Sequence, residues 1–140
     1  MADAPTPCRV FVYGTLRRGE KNHRRYLTGR YRAWAPATLP GRLFFAPREG
    51  YPYLLPGMET VHGEIFDLDP DTAAATLQRL DLLEDYDSDN EDGSLYLRRQ
   101  AEARLADGSS VRVWVYFWNG AEIGQPVAGG DFSRREKRQG

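Results

Sequence analysis

Ser110-Val111-Arg112-Val113-Trp114-Val115-Tyr116-Phe117-Trp118 is the stretch on which the fold turns. Side chains alternate across a strand, so Val111, Val113, Val115 and Phe117 share one face while Arg112, Trp114, Tyr116 and Trp118 share the other. One face is aliphatic, the other aromatic, and both need cover. A strand of that kind belongs in a closed barrel, or in a sheet whose second face forms the wall of a pocket. Asp107-Gly108 stands just before it, and Leu95 to Ala106 has the composition of another strand, so the two runs are expected to form an antiparallel hairpin.

Further upstream, the alanines and leucines from Ala73 to Leu83 predict a helix. Asp69 suits its N-cap, Pro70 its first position, and Asp71 adds negative charge where the helix dipole favours it. Val61 to Leu68 alternates loosely and carries β-branched and aromatic residues, the pattern of a strand. Between these and the N-terminal region, Pro36, Pro40, Gly41, Pro47, Gly50, Pro52, Pro56 and Gly57 are expected to cut the chain into pieces. Only brief strands such as Arg42 to Phe45 fit between them. A short helical turn suits Arg24 to Tyr31. Val10-Phe11-Val12, within Arg9 to Tyr13, reads as a buried strand with the loop Gly14 to Gly19 at its carboxyl end, and Ala2 to Pro7 as a loose leader. No internal repeat or low-complexity tract argues for a solenoid or a second domain. The expectation is one α+β domain over residues 8–132, a small mixed β-barrel with flanking helices, followed by a basic, solvated and disordered tail over residues 133–140.

Composition narrows the function classes. The chain has 140 residues, 41% hydrophobic and 28% charged, enough to bury one core without disulfides or metal. Nineteen lysines and arginines against 20 aspartates and glutamates give no field that would attract a polyanion, so no nucleic-acid partner is expected. The single cysteine, Cys8, cannot form an internal bridge, and no stretch approaches the roughly 18 apolar residues that span a bilayer. A cytoplasmic protein without membrane insertion, monomeric or a weak dimer, is the expectation. His23 and His62 lie at no metal-ligand spacing, so no metal is expected. Cys8 reads as a buried inert thiol.

Two constellations carry chemistry. Ala73, Leu77, Leu80 and Glu84 are spaced to lie on one helix face, so a carboxylate ends an apolar stripe. Burial there would raise its pKa, and the carboxyl end of its own helix would push in the same direction. A helix ending one turn earlier would instead release Glu84 to solvent, and periodicity alone does not separate the two. Asp81 and Asp85 project elsewhere and suit plain solvated charges. In the second constellation, Tyr13-Gly14-Thr15-Leu16 follows the buried strand, and glycine there lets successive N–H groups turn inward as a nest for a carboxylate. A simple turn with Arg17 and Arg18 exposed satisfies the same residues. No Gly-Lys-Ser/Thr ending marks a phosphate loop.

The run Val10 to Gly19 with Asn22-His23 resembles the opening signature of the γ-glutamylcyclotransferase-like, or avirulence-induced-gene-like, family. Val61-His62-Gly63-Glu64-Ile65-Phe66, Leu80 to Asp87, Tyr96-Leu97-Arg98-Arg99 and Gly130-Asp131-Phe132 continue the resemblance in order. It implies the γ-glutamylcyclotransferase-like barrel, with Glu84 as the catalyst and Tyr13, Gly14, Thr15 and Leu16 holding the substrate's α-carboxylate and amine region. It also implies an enzyme that needs no cofactor. The substrate would be a small γ-glutamyl compound whose α-amine closes onto its own γ-carbonyl, giving 5-oxoproline and a free amine or amino acid. Tyr116, on the aromatic face, is a further candidate for the pocket. The acidic segment Asp85 to Ser94 is expected to lie at the pocket mouth and disfavour a carboxylate on the leaving side, hence γ-glutamyl amines or short γ-glutamyl amino acids over glutathione. A non-catalytic module binding γ-glutamyl compounds on the same fold is the alternative.

Overall fold

Chain order in the computed structural model, which describes residues 8–46, 51–122 and 124–134, runs β1 (Arg9–Val12), α1 (His23–Tyr26), β2 (Tyr31–Ala46), β3 (Tyr51–Leu68), α2 (Ala73–Leu83), β4 (Tyr96–Leu105), β5 (Ser110–Trp118) and β6 (Gln125–Pro126). Short 3₁₀ turns occur at Glu91–Gly93, Ala128–Gly130 and Phe132–Arg134. The strands follow the order β3-β1-β5-β4-β2, and β2 pairs back onto β3, so five strands close into a barrel that β6 extends at β2. Strands β1 and β5 are parallel and the other pairs antiparallel, so the barrel is mixed. This is the α+β barrel with flanking helices that the two-faced strand demands.

Both faces of β5 are covered. Val113 and Val115 are buried with Phe11, Leu39, Leu54 and Ile65 in one cluster. Tyr116, with part-buried Trp114 and Trp118, belongs to another that includes Leu27 beside α1 and Leu80 on α2. Helices cannot enter a five-stranded barrel, so the second cluster is the outer, helix-covered face and the first fills the interior. The β4–β5 hairpin pairs from Tyr96↔Trp118 to Arg104↔Ser110, and Gly108 supplies the positive φ (+90°) of its turn.

Three local expectations are corrected. The breaker-rich region forms two long strands of 16 and 18 residues rather than short pieces. Gly41 faces Glu59 while Arg42 faces Leu55, so Pro56, Gly57 and Met58 are absorbed in a bulge of β3. Beyond β3, strand β2 is paired only at Ala37–Thr38 and Phe44–Phe45, and such an open edge tolerates prolines whose missing N–H falls on it. Pro47 and Gly50 lie outside the described residues, as do Ala2 to Pro7 and residues 135–140 of the tail. The helix spans Ala73–Leu83 as expected, but Thr72 rather than Asp69 stands at its N-cap. Asp69 Oδ1 instead accepts the Asp71 N–H at 3.0 Å, which holds Asp69-Pro70 in a turn ahead of the helix. Helix α1 covers only His23–Tyr26, and Tyr31 already opens β2. Among the described residues, no helix is long and apolar enough to cross a membrane.

Candidate active site

The barrel opens where β1 stops at Val12. The loop that follows has its carbonyls committed outward: Gly14 O accepts from Arg17 N–H (3.0 Å) and Thr15 O from Asn22 N–H (2.9 Å). Leu16 O lies 2.9 Å from His23 Nδ1. A carbonyl can only accept, so His23 carries its proton on Nδ1, and its Nε2, 3.2 Å from the Tyr31 hydroxyl, is free to accept. Glu64 Oε1 takes the Arg18 N–H at 2.8 Å, and Arg17 spans Glu64 and Asp131, at 3.4 and 2.7 Å. The loop is therefore braced on three sides, its arginines paired or backbone-anchored rather than forming a loose exposed turn. Among the described residues, the N–H groups of Gly14, Thr15 and Leu16 donate no hydrogen bond. Gly14 must be glycine on steric grounds, since a Cβ would fall 2.5 Å from Pro52 Cγ.

Helix α2 delivers the carboxylate. Its last helical residue is Leu83, and Glu84 caps it, donating its N–H to Leu80 O at 2.9 Å. The chain then turns sharply at Asp85, with φ +54°. Glu84 as a residue is part-exposed at this corner, but its carboxyl is enclosed, and burial raises its pKa from the ordinary 4.5 to about 7. Of the two placements that periodicity left open, the structure has the inward one. A carboxyl titrating near 7 can both take and give a proton at neutral pH.

Three phenols surround it. Tyr13 donates to Tyr116 O (2.7 Å), Tyr96 to Pro52 O (3.0 Å) and Tyr116 to Asp81 Oδ1 (2.6 Å). Burial, reinforced in each by neighbouring groups that include Glu84, pushes all three hydroxyls well above the usual tyrosine value, so they act as neutral donors. Asp81 is not a plain solvated charge: Arg98 binds both its oxygens, at 2.8 and 3.2 Å, and Tyr116 caps one of them. That cluster ties α2 to β4 and β5 one turn before Glu84.

Glu84, Tyr13, Gly14, Thr15, Leu16 and Tyr116, the residues nominated from sequence, all line one cavity. A second, outer opening shares Thr15, Tyr51, Glu84 and Tyr96 with it and adds Lys21, Asn22, Leu83 and Leu95. Sequence reasoning missed Tyr96 and Lys21. Tyr96 was within reach, because hairpin register places it opposite Trp118, itself read as part of the aromatic face. Lys21 carries no pattern signal. The acidic segment is ordered differently from the expectation: Glu91 binds Arg99 (2.9 Å) and Tyr86 (2.9 Å), and Asn119 donates to Glu91 O and Ser94 O. No side chain from Asp85 to Ser94 lines either opening. Cys8 is part-exposed rather than buried. Among the described residues, no group of three or more His, Cys, Asp and Glu side chains could hold a metal ion.

The closed mixed barrel sets an enclosed carboxyl beside an N–H-lined loop, and relatives place the chain in a known family. The sequence profile described as "Gamma-glutamyl cyclotransferase, AIG2-like" matches residues 10–134, and the chain belongs to that family. It is 33% identical over 110 residues to the gamma-L-glutamyl-butirosin B gamma-glutamyl cyclotransferase of Niallia circulans, a match covering 79% of this chain and 66% of that protein. The chain thus spans about two thirds of the length of that relative. Among solved structures, an AIG2-like protein of Mus musculus superimposes with a TM-score of 0.62 at 28% identity, covering 83% of this chain and 80% of its own. Protein ytfP of Escherichia coli does so with a TM-score of 0.62 at 27% identity, covering 92% and 99%.

Proposed function

We propose that the chain is a γ-glutamylcyclotransferase that converts a γ-glutamyl amine or γ-glutamyl amino acid to 5-oxoproline and the free amine, with Glu84 as base and acid. The observation that carries this is a carboxyl with a pKa of about 7 in the same cavity as the Tyr13 to Leu16 loop. The free N–H groups of that loop suit the substrate's α-carboxylate. Bound there, the γ-glutamyl chain folds back so that its α-nitrogen faces its own γ-carbonyl, and tethering of this kind supplies up to roughly 7–11 kcal/mol of the barrier in the best cases.

Glu84 takes one proton from the α-ammonium, whose reference pKa is about 8. The freed nitrogen pair forms a bond to the γ-carbon, closing the five-membered ring. Glu84 gives that proton to the departing nitrogen as the bond from the γ-carbon to it breaks. It then takes the second surplus proton from the ring nitrogen and passes it to the freed amine, which leaves as an ammonium, so substrate atoms and charge balance without water or redox change. The three phenol hydroxyls already donate elsewhere. The loop N–H groups and the Thr15 hydroxyl, whose oxygen accepts from Asn22 Nδ2 at 2.9 Å, remain as donors for the developing γ-oxyanion. A binding module on this fold would have no use for a carboxyl poised near neutrality.

The test is release of 5-oxoproline from a panel of γ-glutamyl amines, γ-glutamyl amino acids and glutathione. Release from at least one donor is expected. Tight binding of these compounds with no release from any would move the assignment to the binding module.

A further inference from the structure

The outer opening extends the cavity beyond Glu84. On the cyclotransferase reading, a γ-glutamyl moiety held by the loop would set its γ-carbonyl at Glu84, and the group on the departing nitrogen would then project toward the opening that Glu84 shares with Lys21, Asn22, Leu83 and Leu95. Leu83 and Leu95 supply apolar surface to this space, which is otherwise lined by polar, charged and phenolic groups. Its titratable groups are Glu84, half neutral near pH 7, the phenols Tyr51 and Tyr96, and Lys21. Lys21 is the one cation in the lining, is exposed, and makes no hydrogen bond or ion pair with the described residues. No acidic side chain lines the opening other than Glu84 itself, because Glu91 is held by Arg99 and Tyr86 and the remaining acids of that segment face elsewhere.

The geometry points to Lys21 as the specificity-determining residue of a leaving-group subsite that takes an amino acid, its carboxylate on Lys21 and its side chain against Leu83 and Leu95. The inference rests on the cyclotransferase assignment and narrows it to γ-glutamyl amino acids over simple γ-glutamyl amines. It also reverses the expectation, drawn from the acidic run, that a carboxylate on the leaving side is disfavoured. An exposed single ion pair contributes little, so the effect is modest: about a five-fold preference at low salt. Added salt should shrink that preference, since a rim charge acts largely through screened attraction.

The experiment compares kcat/KM for γ-glutamyl-alanine and γ-glutamyl-ethylamine, a pair differing only by the leaving-side carboxylate, in the wild type, Lys21→Met and Lys21→Glu. The ratio is expected to favour γ-glutamyl-alanine about five-fold in the wild type, to fall to about one in Lys21→Met, and to invert in Lys21→Glu. A wild-type ratio of one or below, or a preference unchanged in both variants, would overturn the role of Lys21 while leaving the cyclotransferase intact. No 5-oxoproline from either compound or from any other γ-glutamyl donor would instead sink the cyclotransferase assignment. Both variants lie on an exposed position outside the core, and their fold is checked by circular dichroism.

Discussion

The barrel interior and its helix-covered outer face are built from the same strands but do different work. Inside, Leu39, Leu54, Val61, Val113 and Val115 are buried to 2% exposure or less and pack in one hydrophobic cluster with Tyr13. Outside, the same β5 presents Tyr116 to Asp81, and α2 brings Glu84 to the edge of an aromatic cluster. Apolar packing stabilises the interior without regard to pH. On the outer face, stability and chemistry are coupled, because a carboxyl kept near neutrality costs folding energy whenever it ionises.

Substitutions can break that contrast. Leu39→Ala removes a side chain from the interior away from the cavity, and urea melts should show a loss of about 2–5 kcal/mol with kcat per folded molecule unchanged. A large fall in kcat would show that the two faces are not separable. Glu84→Gln should do the reverse. Its folded pKa is raised, so the wild type loses stability as pH climbs from 4.5 through about 7 and carries the full penalty above that. The variant should therefore be more stable than the wild type at pH 8 by on the order of 3 kcal/mol at most, with the gap closing toward pH 4.5. A gap independent of pH would mean that the carboxyl is not desolvated.

Asp81→Asn sharpens the comparison from the other side. It leaves Arg98 without its carboxylate and loosens Tyr116, at a cost of about 1–3 kcal/mol. Because the pair anchors the turn that carries Glu84, kcat should fall as well, unlike in Leu39→Ala, and the acid limb of the rate profile should move. A stability loss with an unchanged pH profile would reduce Asp81 to a structural brace.

What was legible in the sequence follows the same division. Alternation in β5 is a local pattern and led to the barrel, whereas the four-three-four spacing in α2 left the placement of Glu84 open, and the family resemblance selected the inward carboxylate. Asp81 was misjudged because its partners, Arg98 and Tyr116, lie 17 and 35 residues away, beyond any periodic signal. The β2–β3 hairpin was hidden for a related reason: each proline looks like a breaker in isolation, and only the register shows that Pro56 falls in a bulge. The acidic run likewise looked like a charged mouth until Arg99 and Asn119 were found to hold it.

The most direct measurement is the rate of 5-oxoproline release by wild type and Glu84→Gln across about pH 5 to 9, with the best γ-glutamyl donor. The wild type should trace a bell whose acid limb lies near 7, because the reactive complex holds one proton shared between Glu84 and the substrate amine. Glu84→Gln, still folded, should lose about 10²-fold or more. A Glu84→Gln enzyme that keeps the wild-type rate and profile would contradict the account at its centre.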